Sequence, residues 1–171
     1  MSEINDLHVN MIADTQAHFA QQVVTVDDYP ENLNSKVNTP AIFFEVETGG
    51  QGLDLGDDRV AIKLNLVAHL VLSNDLPNVK REIVAFASEM FRFVCENFWN
   101  LNGKITAPEH IEIGPSDFKP GKHGFESWYC SWEQTIYLGV SEWAPTDFTP
   151  TQVYLGVNIN EAGFDVDEQV V

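Results

Sequence analysis

Apolar residues recur along the chain with two different periods, and the switches between them divide it into elements. Ile4, Leu7, Met11, Ile12 and Phe19 stand at helical spacing and predict an amphipathic N-terminal helix ending near Gln22. Val23 to Val26 reads as a short strand. Asp27 to Thr39, with Tyr29-Pro30 and several Asn residues, reads as a connection. Pro40 to Thr48 is rich in branched and aromatic residues and predicts a strand that Gly49-Gly50-Gln51-Gly52 closes. A loop continues through Asp54, Gly56, Asp57 and Asp58. From Arg59 onward, Val60, Ile62, Leu64, Leu66, Ala68, Leu70 and Leu72 alternate with residues that include Lys63, Asn65, His69 and Ser73. This is the period of a strand with one wholly apolar face, and the Gly/Asp loop before it predicts an antiparallel hairpin.

Ser73-Asn74-Asp75-Leu76-Pro77 carries a helix-start signal, with Asp75 as the cap and Pro77 in the first turn. Val79, Ile83, Phe86, Ala87, Met90, Phe93 and Val94 then mark one face of a long helix of about 20 residues and about 30 Å. Phe91, Cys95, Phe98 and Trp99 widen the stripe near its end and point to a second packing surface; Asn102-Gly103 stops the helix. Lys104 to Phe118, interrupted by Pro108 and Gly114, predicts an irregular or edge strand, followed by a turn at Pro120-Gly121. Phe125 to Val140 alternates again, with Trp128, Cys130, Trp132, Ile136 and Leu138 on the face expected to meet the long helix. The order predicts an α+β domain over residues 1–140, an antiparallel sheet packed against the long helix and the N-terminal helix. Pro145 and Pro150 set off an acidic C-terminal extension, residues 141–171, in which Val153 to Ile159 offers one short strand.

Composition fits that picture. With 171 residues, the chain is long enough to bury roughly 70% of its unfolded surface, and 44% hydrophobic residues place it among globular proteins. The net charge of −17 adds a constraint. Every Lys and Arg lies between Lys36 and Lys122, while acids continue through both flanks. A basic footprint for a nucleic-acid backbone is missing, so sequence-specific nucleic acid is not an expected partner, and neither is an anionic membrane. Met1 to Gln22 has no basic n-region and no uninterrupted apolar stretch, so it reads neither as a signal peptide nor as an anchor; the cytosol is the expected compartment. Cys95 and Cys130 sit inside apolar patterns and read as free buried thiols.

Candidate chemistry is sparse. The five histidines, His8, His18, His69, His110 and His123, show no metal-ligand spacing. His69, on the more polar face of its strand, reads as a satisfied sheet histidine. No Gly-x-Ser-x-Gly elbow occurs. The Gly49 to Gly52 run lacks both nucleotide-loop spacings and is followed by acids, so it reads as a hairpin loop. Asp54, Asp57 and Asp58 miss the calcium-loop pattern and read as a solvated acidic loop. No catalytic residue, cofactor or metal is expected.

The order of an N-terminal helix, then Thr39-Pro40-Ala41-Ile42-Phe43-Phe44-Glu45-Val46, an acidic Gly-rich loop, a long alternating strand and a long helix resembles the phage tail terminator family. These are the lambda gpU-like proteins and their prophage-encoded relatives. The resemblance covers Ile4 to Val140 and implies a non-enzymatic structural protein of the bacterial host cytoplasm or the virion tail. Its subunits would form a ring, usually a hexamer, that caps the finished tail tube, stops elongation and provides the head-joining surface. The implied partners are further copies of the chain, the tail tube protein and a head–tail joining protein. The expected oligomer or tube contacts are Gly49, Gly50, Asp54, Asp57 and Asp58 of the loop, together with Phe98 and Trp99. Acidic groups there would let DNA pass without sticking. Two other classes compete: an acidic protein-binding module or inhibitor, and a small-molecule enzyme. The enzyme would require His69, His110 and His123 to cluster with a carboxylate.

Overall fold

The computed structural model describes residues 3–30, 37–117 and 124–142 in full and the backbone of 153–157 and 166–170. The Pro120-Gly121 turn, His123 and the Pro145 to Pro150 segment lie outside the described residues. The chain forms two compact units, Met1–Val140 and Ser141–Val171.

In the first unit the elements run α1 (Glu3–His18), β1 (Thr25–Asp28), β2 (Ala41–Gln51), β3 (Val60–Ser73), α2 (Val79–Val94), β4 (Glu109–Pro115) and β5 (Phe125–Leu138). One five-stranded sheet has the order β1-β2-β3-β5-β4. The α+β class holds, but the sheet is mixed rather than antiparallel. β1 lies parallel to β2, with Thr25 beside Ala41 and Asp28 beside Phe44. The residues between these strands, 29–40, are enough to carry the chain back to the start of its neighbour, which a parallel pair requires.

β3 and β5 form the centre and pair antiparallel over their whole length, from Val60 opposite Leu138 to Ser73 opposite Phe125. Their even-numbered residues face the helices. Leu64, Leu66, Leu70, Cys130, Trp132 and Ile136 are buried there with Ile83, Ala87, Met90 and Val94 of α2 and Leu7 and Met11 of α1. Among the described residues, the opposite face carries a small second cluster of Ala41, Phe43 and Val71, with Tyr29, Val37 and Phe125 packed against it. β4 is an edge strand with a register shift between Glu109 and Glu112, as its Pro and Gly residues foretold.

The long helix is shorter than its apolar stripe. α2 has 16 residues, about 24 Å at 1.5 Å per residue, and α1 also has 16. Beyond Cys95, still right-handed helical as the C-cap, the chain turns: Asn97 Oδ1 accepts the Trp99 amide at 2.8 Å, and Trp99 and Asn100 take left-handed φ values of 49° and 54°. Phe98 and Trp99 therefore extend the core from a turn. At the other end, Asn78 rather than Asp75 is the N-cap, in a left-handed conformation with no side-chain cap. Asp75 instead exchanges hydrogen bonds with Ser73, 3.1 Å from its Oγ and 3.2 Å through its own amide.

The second unit contains two strands where the alternation gave one. β6 (Val153–Val157) and β7 (Val166–Val170) pair antiparallel, Val153 opposite Val170.

Candidate functional site

The β2–β3 hairpin emerges from one end of the sheet, and its turn is built rather than loose. Gly49 and Gly50 belong to β2, opposite Leu64 and Lys63, so the strand runs further than its branched residues indicate. Gly52 seals the base. Its amide donates to the Ala61 carbonyl at 3.0 Å, and a Cβ there would stand 2.6 Å from Thr135 Cγ2 and 3.1 Å from Ala61 Cβ. Asp54 Oδ1 accepts the Gly56 amide at 2.8 Å, an Asx turn, and Gly56 and Asp58 have φ values of 67° and 65°.

Arg59 fixes this loop to the body. Its Nε donates to Asp57 Oδ2 at 2.8 Å, its Nη1 to the Gly103 carbonyl at 2.7 Å, and its guanidinium lies 4.9 Å from the centre of the Tyr137 ring. With the loop held in this way, Leu53 and Leu55 point outward, 76% and 50% exposed. Val60 and Val140 are exposed at the same end of the sheet. A tight turn that turns a charge inward and leucines outward inverts the usual distribution, and such exposed apolar patches mark contact surfaces.

The residues expected to make contacts divide accordingly. Gly49, Gly50, Asp54 and Asp58 are exposed on the hairpin, the first three around one hollow. Asp57 is not available as a solvated acid, because it is 5% exposed and ion-paired with Arg59. Phe98 is half-buried against the core. Trp99 is no surface residue at all. It is fully buried, 5.8 Å from the Trp132 ring and 5.7 Å from that of Phe93, and its indole donates to Gln134 Oε1 at 2.7 Å.

Polar groups converge on the open face of the sheet in two separate places. In the first, His69 stands 8% exposed, with Nε2 3.0 Å from Glu45 Oε2 and Nδ1 3.3 Å from Ser116 Oγ. Tyr29 stacks edgewise on it at 5.2 Å, and burial followed by the Glu45 charge raises the Tyr29 phenol above its ordinary pKa. In the second, Glu133 Oε2 takes both Lys63 Nζ and His110 Nδ1 at 2.7 Å. The Lys63 hydrogen bond, then that of His110, holds the Glu133 carboxyl below its ordinary range. His69 and His110 thus engage different carboxylates, and Asn65, the residue of β3 opposite Glu133, is four positions from His69, about 13 Å along the strand.

Ser116 and His69, the latter bonded to Glu45, border a hollow of about 370 Å³. Nucleophilic catalysis on an ester or amide also needs N–H donors aimed at the developing oxyanion. The Ser116 amide is engaged instead in the sheet, donating to the Ser127 carbonyl at 3.0 Å. Both ring nitrogens of His69 thus have hydrogen-bond partners on the more polar face of β3, with Tyr29 edgewise on the ring. Among the described residues no group of three or more His, Cys, Asp or Glu side chains is placed to hold a metal ion, and no helix is long and apolar enough to cross a membrane.

Two features escaped the apolar pattern. Leu53 and Leu55 are the exposed apolar residues of the tip, and their signal is the isolated Leu-Asp-Leu within a Gly/Asp loop. Gln134 is the one buried polar residue on the apolar face of β5. It accepts both the Trp99 and Trp132 indoles, at 2.7 and 2.9 Å, and donates to the carbonyls of Asn97 and Thr106. No family model and no curated protein matches the chain.

Proposed function

We propose that this chain is a structural, non-enzymatic phage or prophage tail protein, a tail terminator whose ring caps the tail tube, stops its elongation and provides the head-joining surface. The observation that supports this reading is the braced hairpin tip, which holds Leu53 and Leu55 out into solvent beside Asp54 and Asp58. Ordering a loop in order to expose leucines lowers the stability of a free monomer and benefits a protein that covers them with a neighbour. The acidity of the open face, where Glu45, Glu47, Glu112 and Glu133 stand against Lys63, suits a ring through which DNA passes without adhering.

Electron microscopy of the purified chain, alone and mixed with tail tube protein, tests the reading. Closed rings, seated at tube ends in the mixture, are expected. Particles that stay monomeric in both samples contradict it. A stoichiometric complex with a basic protein and no self-assembly would favour an acidic binding module in its place.

A further inference from the structure

Asn102 and Gly103 sit at the centre of a turn in which the Lys104 amide donates to the Leu101 carbonyl at 2.9 Å and Gly103 takes a φ of 79°. Asn102, Gly103 and Lys104 are exposed, and a Cβ built on Gly103 would meet nothing within 4 Å. The sequence has no other Asn-Gly pair. The peptide joining the two residues is free to swing. Among the described residues, neither the Asn102 carbonyl nor the Gly103 amide takes part in a protein hydrogen bond, and the Asn102 carboxamide has no partner. Other asparagines are held: Asn65 donates to Glu47, Asn97 accepts the Trp99 amide, and Asn100 donates to Asp14. Each of those three also precedes a residue whose side chain crowds the following nitrogen, Leu66, Phe98 or Leu101.

We propose that Asn102 is a site of spontaneous covalent modification, and that its product releases the brace on the hairpin tip. The Gly103 nitrogen, after giving its proton to hydroxide, attacks Asn102 Cγ. A C–N bond forms, the carboxamide nitrogen leaves as ammonia, and a cyclic imide results. Water then opens the imide. Cleavage at Cγ leaves aspartate, and cleavage at the main-chain carbonyl leaves isoaspartate, whose backbone runs through Cβ and Cγ. Isoaspartate lengthens the main chain immediately before Gly103, whose carbonyl accepts Arg59 Nη1 at 2.7 Å. An added bond of about 1.5 Å is large beside the few tenths of an ångström over which a hydrogen bond tolerates stretching. Arg59 then keeps Asp57 and Tyr137 but loses its anchor across the chain.

Peptide mapping of the native chain held at alkaline pH tests the site. Aspartate and isoaspartate should accumulate at position 102 ahead of every other asparagine, with ammonia released, and Asn102→Ala should yield neither there. Trypsin tests the consequence, because it must take the Arg59 guanidinium into its own pocket before it cuts. It should cut after Arg59 roughly tenfold faster in the isoaspartate chain, where opening no longer breaks that hydrogen bond to a charged group. Freshly prepared Asn102→Asp carries the new charge without the longer backbone and should be cut like the unmodified chain. An Asn102 that persists in the native chain while it converts in the urea-unfolded one overturns the site. Equal cutting of the isoaspartate and unmodified chains, or accelerated cutting of Asn102→Asp, overturns the link to the brace.

Discussion

Arg59 holds Asp57 at 2.8 Å, two residues back along the same turn, and both side chains are folded inward. The pair links the hairpin to the Gly103 carbonyl, 44 residues further along the chain, so it sets the direction in which the tip projects. Removing one member of a largely buried pair leaves the other charge without compensation. Arg59→Ala is expected to lower stability by roughly 3 kcal/mol in urea unfolding, with Arg59→Lys intermediate. An unchanged midpoint would mean that the tip is not braced from within.

Gln134 is expected to be as sensitive as a large core residue. Gln134→Leu keeps the volume but strands two buried indole N–H groups and the carbonyls of Asn97 and Thr106. At about 1–3 kcal/mol for each buried group without a partner, a loss of roughly 3 kcal/mol or more is expected, together with a changed tryptophan emission spectrum. Near-neutral behaviour would show that the indoles find other acceptors.

Gly52→Ala probes the hairpin base. The added Cβ meets Thr135 Cγ2 at 2.6 Å, so β5 or the hairpin must shift. A cost of about 1–3 kcal/mol is expected from thermal unfolding, with partial recovery in Gly52→Ala combined with Thr135→Ser, which deletes the opposing methyl.

The Lys63–Glu133 pair predicts a pH profile with a definite sign. Glu133 titrates below its ordinary value, so its contribution is present above the unfolded carboxyl pKa and is lost as pH falls through the folded one. Lys63 titrates above its ordinary value because of Glu133, so its contribution is present below the unfolded amine pKa and is lost as pH rises through the folded one. The stability difference between wild type and Glu133→Gln should therefore be flat from about pH 5 to 10 and shrink on both sides. Denaturant melts across pH measure it, and a difference independent of pH would contradict the pairing.

The two thiols should react differently. Burial, then the nearby Cys95, pushes the Cys130 thiol up to about 12, whereas Cys95 is partly exposed. Thiolate is the reactive form, so Ellman's reagent at pH 8 should modify Cys95 in the native protein and Cys130 only after unfolding. Equal rates would place Cys130 nearer the surface than β5 puts it.

The central strands were legible because their alternation is long. Fourteen residues of β3 and of β5 fix both the element and the buried face, and the antiparallel pairing of β2 with β3 follows from the short loop between them. The direction of β1 was not legible, since a four-residue strand says nothing about its partner. The end of α2 was hidden for a related reason: Phe98 and Trp99 continue the apolar spacing after the backbone has turned. Apolar spacing reports burial, and it reports helix only where φ stays helical. At the tip, three aspartates look alike in sequence. Only Asp57 turns inward, and what selects it is Arg59 together with a carbonyl far along the chain. The outward leucines follow from that anchor and from no local pattern.

Native mass spectrometry of the purified chain across a concentration series tests the central claim most directly. The account predicts one discrete closed species, a hexamer if the family resemblance holds, growing at the expense of monomer and lost on Leu53→Ser with Leu55→Ser. Monomer alone at every concentration, with and without tail tube protein, would contradict it.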